Sequence, residues 1–292
     1  MQKILITGGA GFIGSAIAEK LASDPDNYVV ILDNLLTGSE AKIPQSPHKN
    51  IEFIKGDVND NNQITDVFLL HHFDYVFHYA AVVGVQRTLE KPLLVLNDLT
   101  GIRIILNLSV TSGVKRVFYS SSSEVYGEPV EYPQNEDTTP LNSRLPYAIV
   151  KNAGEAFLKS FQKEYGLNYT IFRFFNTYGP KQSPDFVISH FIRAALKNEP
   201  IMINGDGSQT RTFCYIDDNV EACATAFYEE KFMNDVVNVG SDKEITISEL
   251  AKTILRITGS SSKIIHQPAL KEGDMTRRRP DISKMQPLLK RK

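Results

Sequence analysis

The stretch Ile6-Thr7-Gly8-Gly9-Ala10-Gly11-Phe12-Ile13-Gly14 decides the fold of this chain. An apolar run precedes it and a helical pattern begins within it, which is the setting that makes G-x-G-x-x-G a specific signal. Glycines let the backbone turn tightly and approach a pyrophosphate, and a helix N-terminus adds N–H groups and a partial positive charge. We therefore predict a dinucleotide site at residues 8–14.

Two acidic residues follow the next apolar runs. Asp33 ends the second run, about 20 residues beyond Gly14, where a carboxylate can accept hydrogen bonds from both adenosine ribose hydroxyls. The same carboxylate repels a 2′-phosphate, so the sequence predicts NAD rather than NADP. Asp57 follows the third run and is a candidate for contact with the adenine amine.

Outward from this motif, short apolar runs alternate with helical patterns, as in a parallel sheet flanked by helices. Strands are predicted at residues 3–7, 29–33, 51–55, 75–78, 116–120 and 170–174, and helices at 13–22, 93–112 and 147–165. After about residue 175, turn-rich segments separate helices near 188–197 and 248–258. The predicted fold is α/β: a Rossmann-type doubly wound parallel sheet in residues 1–175, with a smaller α/β substrate-binding lobe in residues 176–292. A helical pattern starts at 285–289 just before the chain ends, so a final C-terminal element is expected to be missing.

Composition narrows the class of protein. The 292 residues are 42% hydrophobic with a net charge of −2, which gives no electrostatic reason to expect nucleic acid or an anionic membrane as a partner. No signal peptide is expected, because the N-terminal apolar run leads directly into glycines, and no apolar run approaches the length of a membrane helix. Cys214 and Cys223 lack metal-ligand spacing. We predict no metal site and a cytoplasmic protein.

A candidate catalytic group lies between the two halves. Tyr147 and Lys151 are four residues apart on a predicted helix, so they share one face. Tyrosine titrates near ~10, and its use as a base near neutral pH needs stabilisation of the phenolate by about 4 kcal/mol. A lysine ammonium one turn away can contribute to that. The serine run at residues 120–123 ends a predicted strand and can offer a hydroxyl beside the tyrosine.

These motifs resemble the extended short-chain dehydrogenase/reductases of the NAD-dependent nucleotide-sugar epimerase/dehydratase family. The resemblance extends from ITGGAGFIGS (residues 6–15) to DMTRRRPDISKM (residues 274–285). It implies that Ser122, Tyr147 and Lys151 form the catalytic triad, and that Lys151 also holds the nicotinamide ribose. The implied cofactor contacts are Gly8, Gly11, Phe12, Ile13, Gly14, Asp33, Asn34, Asp57, Val58, Ala80, Ala81, Asn97, Ser120, Tyr147, Lys151 and Phe174.

The resemblance also covers the substrate half. Asn176, in RFFNTYGP, is implied to hydrogen-bond the diphosphate of a nucleotide-sugar, and Arg211, in GDGSQTRTFCYIDD, to pair with it bidentately. Arg278 is implied to add a second phosphate contact. The family further implies a UDP-sugar substrate and a homodimer that pairs the helices at 93–112 and 147–165.

The shared reaction implied by the family is oxidation at sugar C4, and the keto sugar then has three main fates. Ser122-Ser123-Glu124 lacks the aspartate of the dehydratases, which disfavours 4,6-dehydration. Glu124 and the segment TRRRPDI resemble the decarboxylases, whereas residues 81–88 resemble the epimerases. Glu124 is thus a further candidate catalytic residue, with the structural role of holding a loop as the alternative. The sequence narrowly favours a UDP-sugar 4-epimerase, with UDP-glucuronate decarboxylation next and then 4,6-dehydration. A non-catalytic NAD-binding regulator is a remote alternative that the intact triad opposes.

Overall fold

The computed structural model describes residues 1–128, 130–269 and 277–290, without the side chains of Val85 and Gln86. Its centre is a parallel sheet of seven strands in the order β11-β6-β5-β4-β1-β2-β3. These strands are β1 (Gln2–Thr7), β2 (Asn27–Asp33), β3 (Ile51–Lys55), β4 (Tyr75–His78), β5 (Arg116–Ser122), β6 (Asn168–Phe174) and β11 (Asp235–Val239). The predicted Rossmann-type α/β fold is confirmed.

Both faces of the sheet are covered, which explains why its strands are apolar almost throughout. Successive residues alternate between two hydrophobic cores: Leu5 and Val30 point into one, and Ile4 and Val29 into the other. The flanking helices are α1 (Phe12–Ala22), α2 (Asn61–His71), α3 (Val85–Glu90), α4 (Pro92–Leu96), α5 (Asp98–Thr111), α6 (Pro146–Tyr165) and α8 (Ile216–Tyr228). Helices α1 and α8 cover one face, and α2, α5 and α6 the other.

The helix predicted at 93–112 is two helices, α4 and α5, with Asn97 between them. Together they span Pro92–Thr111 and are long and apolar enough, by length and composition alone, to cross a membrane. The expectation that no segment reaches this length is therefore wrong, because apolar residues accumulate across interruptions such as Asn97. Ile102, Ile105 and Leu106 bury one side of α5 in a core of the sheet, as expected of a helix in a globular domain.

The seventh strand was not predicted. Asp235–Val239 comes from the second half of the chain, yet β11 pairs in parallel with β6, and α8 packs against α1. The predicted division between residues 175 and 176 therefore does not separate two layers of the fold. That residues 1–175 bind NAD and residues 176–292 mainly bind the nucleotide-sugar stays a prediction.

The remaining elements form a smaller lobe with its own hydrophobic core. Its elements are β7 (Thr177–Tyr178), β8 (Ile201–Asn204), β9 (Thr210–Thr212), β10 (Cys214–Tyr215), β12 (Glu244–Thr246), β13 (Ile264–Gln267), α7 (Val187–Leu196) and α9 (Ile247–Thr258). Thr246 begins α9 with a reciprocal capping box to Glu249, a strong helix start signal. The helical pattern at 285–289 is a single 3₁₀ turn, Gln286–Leu288.

Candidate active site

The glycine loop packs so closely that side chains are excluded. Gly8 has φ +71°, and a Cβ there would lie 2.6 Å from the backbone nitrogen of Ala80. A Cβ on Gly14 would collide with the carbonyl oxygen of Gly8. The turn therefore brings the start of α1, at Phe12, against the carboxyl ends of β1 and β4. Such a cradle of backbone at a helix N-terminus fits a pyrophosphate.

Asp33 ends β2 beside this loop and is held by two backbone donors. Its carboxylate accepts hydrogen bonds from the N–H of Ala10 at 3.0 Å and of Leu35 at 2.8 Å. Burial nevertheless raises the pKa of this carboxyl, and the two backbone bonds and the charge of Lys42 oppose that rise. The carboxylate is thus fixed at the position where an adenosine ribose can be bound.

One cleft of about 490 Å³ runs along the carboxyl ends of the strands, the edge where open α/β sheets bind ligands. Every residue predicted to contact the cofactor lines it: Gly8, Gly11, Phe12, Ile13, Gly14, Asp33, Asn34, Asp57, Val58, Ala80, Ala81, Asn97, Ser120, Tyr147, Lys151 and Phe174. Asn34 and Asp57 are joined across β2 and β3 by a 3.2 Å hydrogen bond. The residues predicted to contact the cofactor therefore converge on one cleft.

The candidate triad lies midway along the cleft. Ser122 ends β5, and Tyr147 and Lys151 lie in the first turns of α6, which packs against β5. The Lys151 ammonium donates to the Ser120 carbonyl at 2.6 Å and to the Ser120 hydroxyl at 3.2 Å. Burial lowers the pKa of Lys151 to about 8. The two uncharged oxygens of Ser120 therefore hold the Lys151 ammonium at the edge of the cleft.

Tyr147 is a poor base in this arrangement on its own. Burial raises its pKa well above 10, and the charge of Glu124 raises it further. A hydrogen bond with Ser122 and the charge of Arg278 act in the opposite direction. NAD, when bound, would supply a positively charged nicotinamide ring and the hydride chemistry of an oxidoreductase. The glycine cradle and the fixed Asp33 carboxylate fit that cofactor.

Asp98 belongs to the same cleft but was not predicted. It is 8% exposed, in the first turn of α5, and accepts a 2.8 Å hydrogen bond from the N–H of Val82. Burial raises its pKa to about 6, and its charge raises the pKa of Lys151. The sequence signal for Asp98 was its position directly after Asn97, which was itself predicted to contact the cofactor.

The substrate half of the cleft contains two of the three predicted residues. Asn176, with φ +28°, donates from its amide to the Thr212 carbonyl at 3.0 Å. Arg278 donates to the Glu124 carboxylate at 2.6 Å and to the Ser123 hydroxyl at 3.4 Å. Arg211 is not among the residues that line the described part of the cleft, and its guanidinium donates to the neighbouring Thr210 carbonyl at 2.7 Å. Its role stays a prediction.

The fold and this cleft define a dinucleotide-binding enzyme with a Tyr–Lys pair at its centre. The family model for the NAD-dependent epimerase/dehydratase family matches residues 4–240, and the chain belongs to that family. NAD is its cofactor. Residues 270–276, which include the start of the predicted TRRRPDI motif, lie outside the described residues.

Similar proteins differ in their reactions. The chain is 39% identical to the UDP-N-acetyl-alpha-D-glucosaminuronate decarboxylase of Bacillus cytotoxicus, over 97% of this chain and 90% of that protein. It is 37% identical to a putative UDP-glucose 4-epimerase of Methanocaldococcus jannaschii, over 98% of this chain and 92% of that protein. A solved UDP-glucose 4-epimerase of Thermotoga maritima, with UDP-glucose, superimposes with a TM-score of 0.92 at 34% identity, covering 98% of this chain and 92% of that one.

Proposed function

We propose that this enzyme oxidises C4 of a UDP-sugar and restores that carbon later in the same turnover, with NAD kept in the cleft throughout. The observation that carries the proposal is the convergence of Ser122, Tyr147 and Lys151 midway along one cleft. The glycine cradle lies toward one side of this group, and Asn176 and Arg278 line the other. Such an arrangement suits a nucleotide-sugar whose C4 hydroxyl meets Tyr147.

Each residue of the triad has a distinct task. Tyr147 accepts the proton of the C4 hydroxyl as the C4 hydrogen leaves, and later returns a proton to the same oxygen. Lys151 stabilises the phenolate by its charge, since it lies one helical turn away with its ammonium 5.8 Å from the centre of the tyrosine ring. Ser122 lies beside Tyr147, whose pKa it lowers, and can donate to the C4 oxygen as it becomes a ketone.

For the fate of the keto sugar we place decarboxylation of a UDP-linked uronic acid first. The support is the Glu124–Arg278 ion pair, which joins a largely buried guanidinium to a carboxylate beside Tyr147. Desolvating two charges is costly, and the diphosphate contact implied for Arg278 accounts for its guanidinium but not for its pairing with Glu124. A C6 carboxylate on the sugar also needs a cation, and Arg278 lines the cleft near Tyr147.

Decarboxylation needs no reactant beyond one proton. A ketone at C4 makes the uronate a β-keto acid, so breaking the C5–C6 bond releases CO₂ and leaves the electron pair in a C4–C5 enolate. Ser122 and Tyr147 can stabilise the enolate oxygen by hydrogen bonds. One proton from solvent or from an acid in the cleft then adds to C5 before C4 is reduced.

The second candidate is 4-epimerisation, which the sequence ranks first because of residues 81–88. The side chains of Val85 and Gln86 in that segment lie outside the described residues. Epimerisation needs the keto sugar to turn over in the cleft and needs no charged group at C6.

One experiment separates these functions. The purified enzyme is incubated with UDP-glucose, UDP-N-acetylglucosamine, UDP-glucuronic acid and its 2-acetamido analogue, and the products are analysed by mass spectrometry and NMR. Loss of about 44 mass units from a uronic acid substrate supports decarboxylation, and unchanged mass with inverted C4 supports epimerisation. If no substrate changes, the proposed function is wrong.

We also propose that two copies pair through α4, α5 and α6. Leu93 on α4 and Ile149 on α6 are exposed apolar residues on these helices, as expected at an interface. Light scattering at micromolar concentration tests this, and a monomer contradicts it.

A further inference from the structure

Asn238 is a fully buried amide between two apolar residues of a strand. It lies in β11 between Val237 and Val239, and none of the three is exposed. A buried polar side chain is costly unless its hydrogen bonds are satisfied. The partners of Asn238 therefore indicate what the residue does.

The first partner leads to Glu124. The Tyr126 hydroxyl donates to the Asn238 side-chain oxygen at 2.8 Å. Tyr126 is buried and belongs to the 3₁₀ turn Ser123–Tyr126, which also carries Glu124. Asn238 thus fixes the turn from which the Glu124 carboxylate reaches the cleft.

The other partners lead to Arg278. The Asn238 amide nitrogen donates to the carbonyls of Gln134 at 2.9 Å and Asp281 at 3.3 Å. Gln134 in turn accepts from the Asp281 N–H at 2.8 Å and donates to the Arg279 carbonyl at 2.8 Å. These bonds hold the backbone on both sides of Pro280, immediately after Arg278.

One amide therefore joins the two chain segments that carry the Glu124–Arg278 ion pair, although those residues are 154 positions apart in the sequence. We propose that Asn238 is a positioning residue that sets the geometry of the Glu124–Arg278 pair in the substrate half of the cleft. It lies behind the pair, and the proposal needs no contact between Asn238 and substrate. The consequence for substrate affinity rests on the proposed function, whereas the effect on the pair does not.

The test is a double-mutant cycle measured by urea denaturation, because it requires no substrate. Glu124→Gln, Arg278→Gln and the double variant are compared in the natural background and in an Asn238→Ala background. We expect the coupling free energy between Glu124 and Arg278 to fall by at least half when Asn238 is replaced. Unchanged coupling overturns the proposal.

Asn50→Ala is the matched control. Asn50 is also a buried asparagine that donates to backbone carbonyls, those of Ala22, Asp24 and Asn27. It precedes β3, at the edge of the sheet opposite the cleft. The coupling should survive in this background, and an equal loss in both backgrounds overturns the proposal by showing a general effect of destabilisation.

A second variant and a kinetic measurement test the same role of Asn238. If Asn238→Ala does not fold, Tyr126→Phe keeps the aromatic ring and removes the bond to Asn238, together with the one that the hydroxyl accepts from Arg173. The same fall in the coupling free energy between Glu124 and Arg278 is expected. In the active enzyme, Asn238→Ala should raise the KM for the UDP-sugar at least about tenfold, since small displacements of binding groups have large kinetic effects. The bound NAD should be unchanged. Absence of turnover in the unaltered enzyme refutes the proposed function and leaves the coupling result valid.

Discussion

Replacing Asp98 by asparagine should stabilise the folded protein while impairing Lys151, the proposed catalytic lysine. The change keeps an oxygen that can accept from the Val82 N–H and removes the buried charge. Asp98 faces Lys151 and Tyr147 from α6, Asp57 from the loop after β3, and Tyr119 from β5.

The size of the effect follows from its pKa. Asp98 has a pKa of about 6 in the folded chain and ~3.9 when unfolded, a difference worth about 3 kcal/mol. Because the folded state binds the proton more tightly, stability falls as pH rises from about 4 through 6. The full penalty is present at pH 8, and about half of it at pH 5. Asp98→Asn should therefore be about 3 kcal/mol more stable at pH 8 and about 1.5 kcal/mol more stable at pH 5.

Urea denaturation at both pH values measures this difference. Asp66→Asn, on the exposed side of α2, is the control and should leave stability within about 0.5 kcal/mol of the natural chain. Because the Asp98 charge raises the pKa of Lys151, the variant should have a lower Lys151 pKa. Its activity on the alkaline side of the pH profile should therefore begin to fall at a lower pH than in the natural chain. The reasoning is refuted if the stability that Asp98→Asn gains over the natural chain is no larger at pH 8 than at pH 5.

Three other changes test separate parts of the site. Tyr147→Phe should lower kcat by about 10²–10⁴-fold, because the proton acceptor is lost, while nucleotide released from the denatured protein remains unchanged; normal kcat contradicts the assigned base. Gly14→Ala should yield protein without bound NAD, since its Cβ collides with the Gly8 carbonyl, and an unchanged absorbance ratio at 260 and 280 nm argues against this cradle. Glu155→Gln should lower the free energy of unfolding by about 3–5 kcal/mol. In the natural chain the buried Arg173 pairs with Glu155 at 2.7 Å, and the variant leaves it without a counter-charge. A loss below about 1 kcal/mol excludes that account.

The cofactor half could be predicted from sequence because its signals are local. The glycine loop and Asp33 each follow a continuous apolar run, and such runs predicted six of the seven central strands. β11 was missed because Asp235–Val239 follows a turn-rich region and its apolar run is interrupted by the polar Asn238. Its place beside β6 depends on a pairing across more than 60 residues.

The substrate half could be predicted less fully because its contacts are long-range. Glu124 and Arg278 were each selected, but no spacing indicates that they form an ion pair. Arg211 was selected by its motif, although the fold leaves it outside the described cleft lining. Asp98 carried no motif of its own, and its importance comes from burial beside Lys151.

The most direct test of the central claim follows the hydrogen at C4. A UDP-sugar substrate carrying deuterium at C4 is converted by the purified enzyme without added nucleotide, and the product is analysed by mass spectrometry and NMR. If NAD stays in the cleft and restores the carbon that it oxidised, the product keeps deuterium at C4. Product that has lost the deuterium, or a requirement for added NAD in every turnover, contradicts the account.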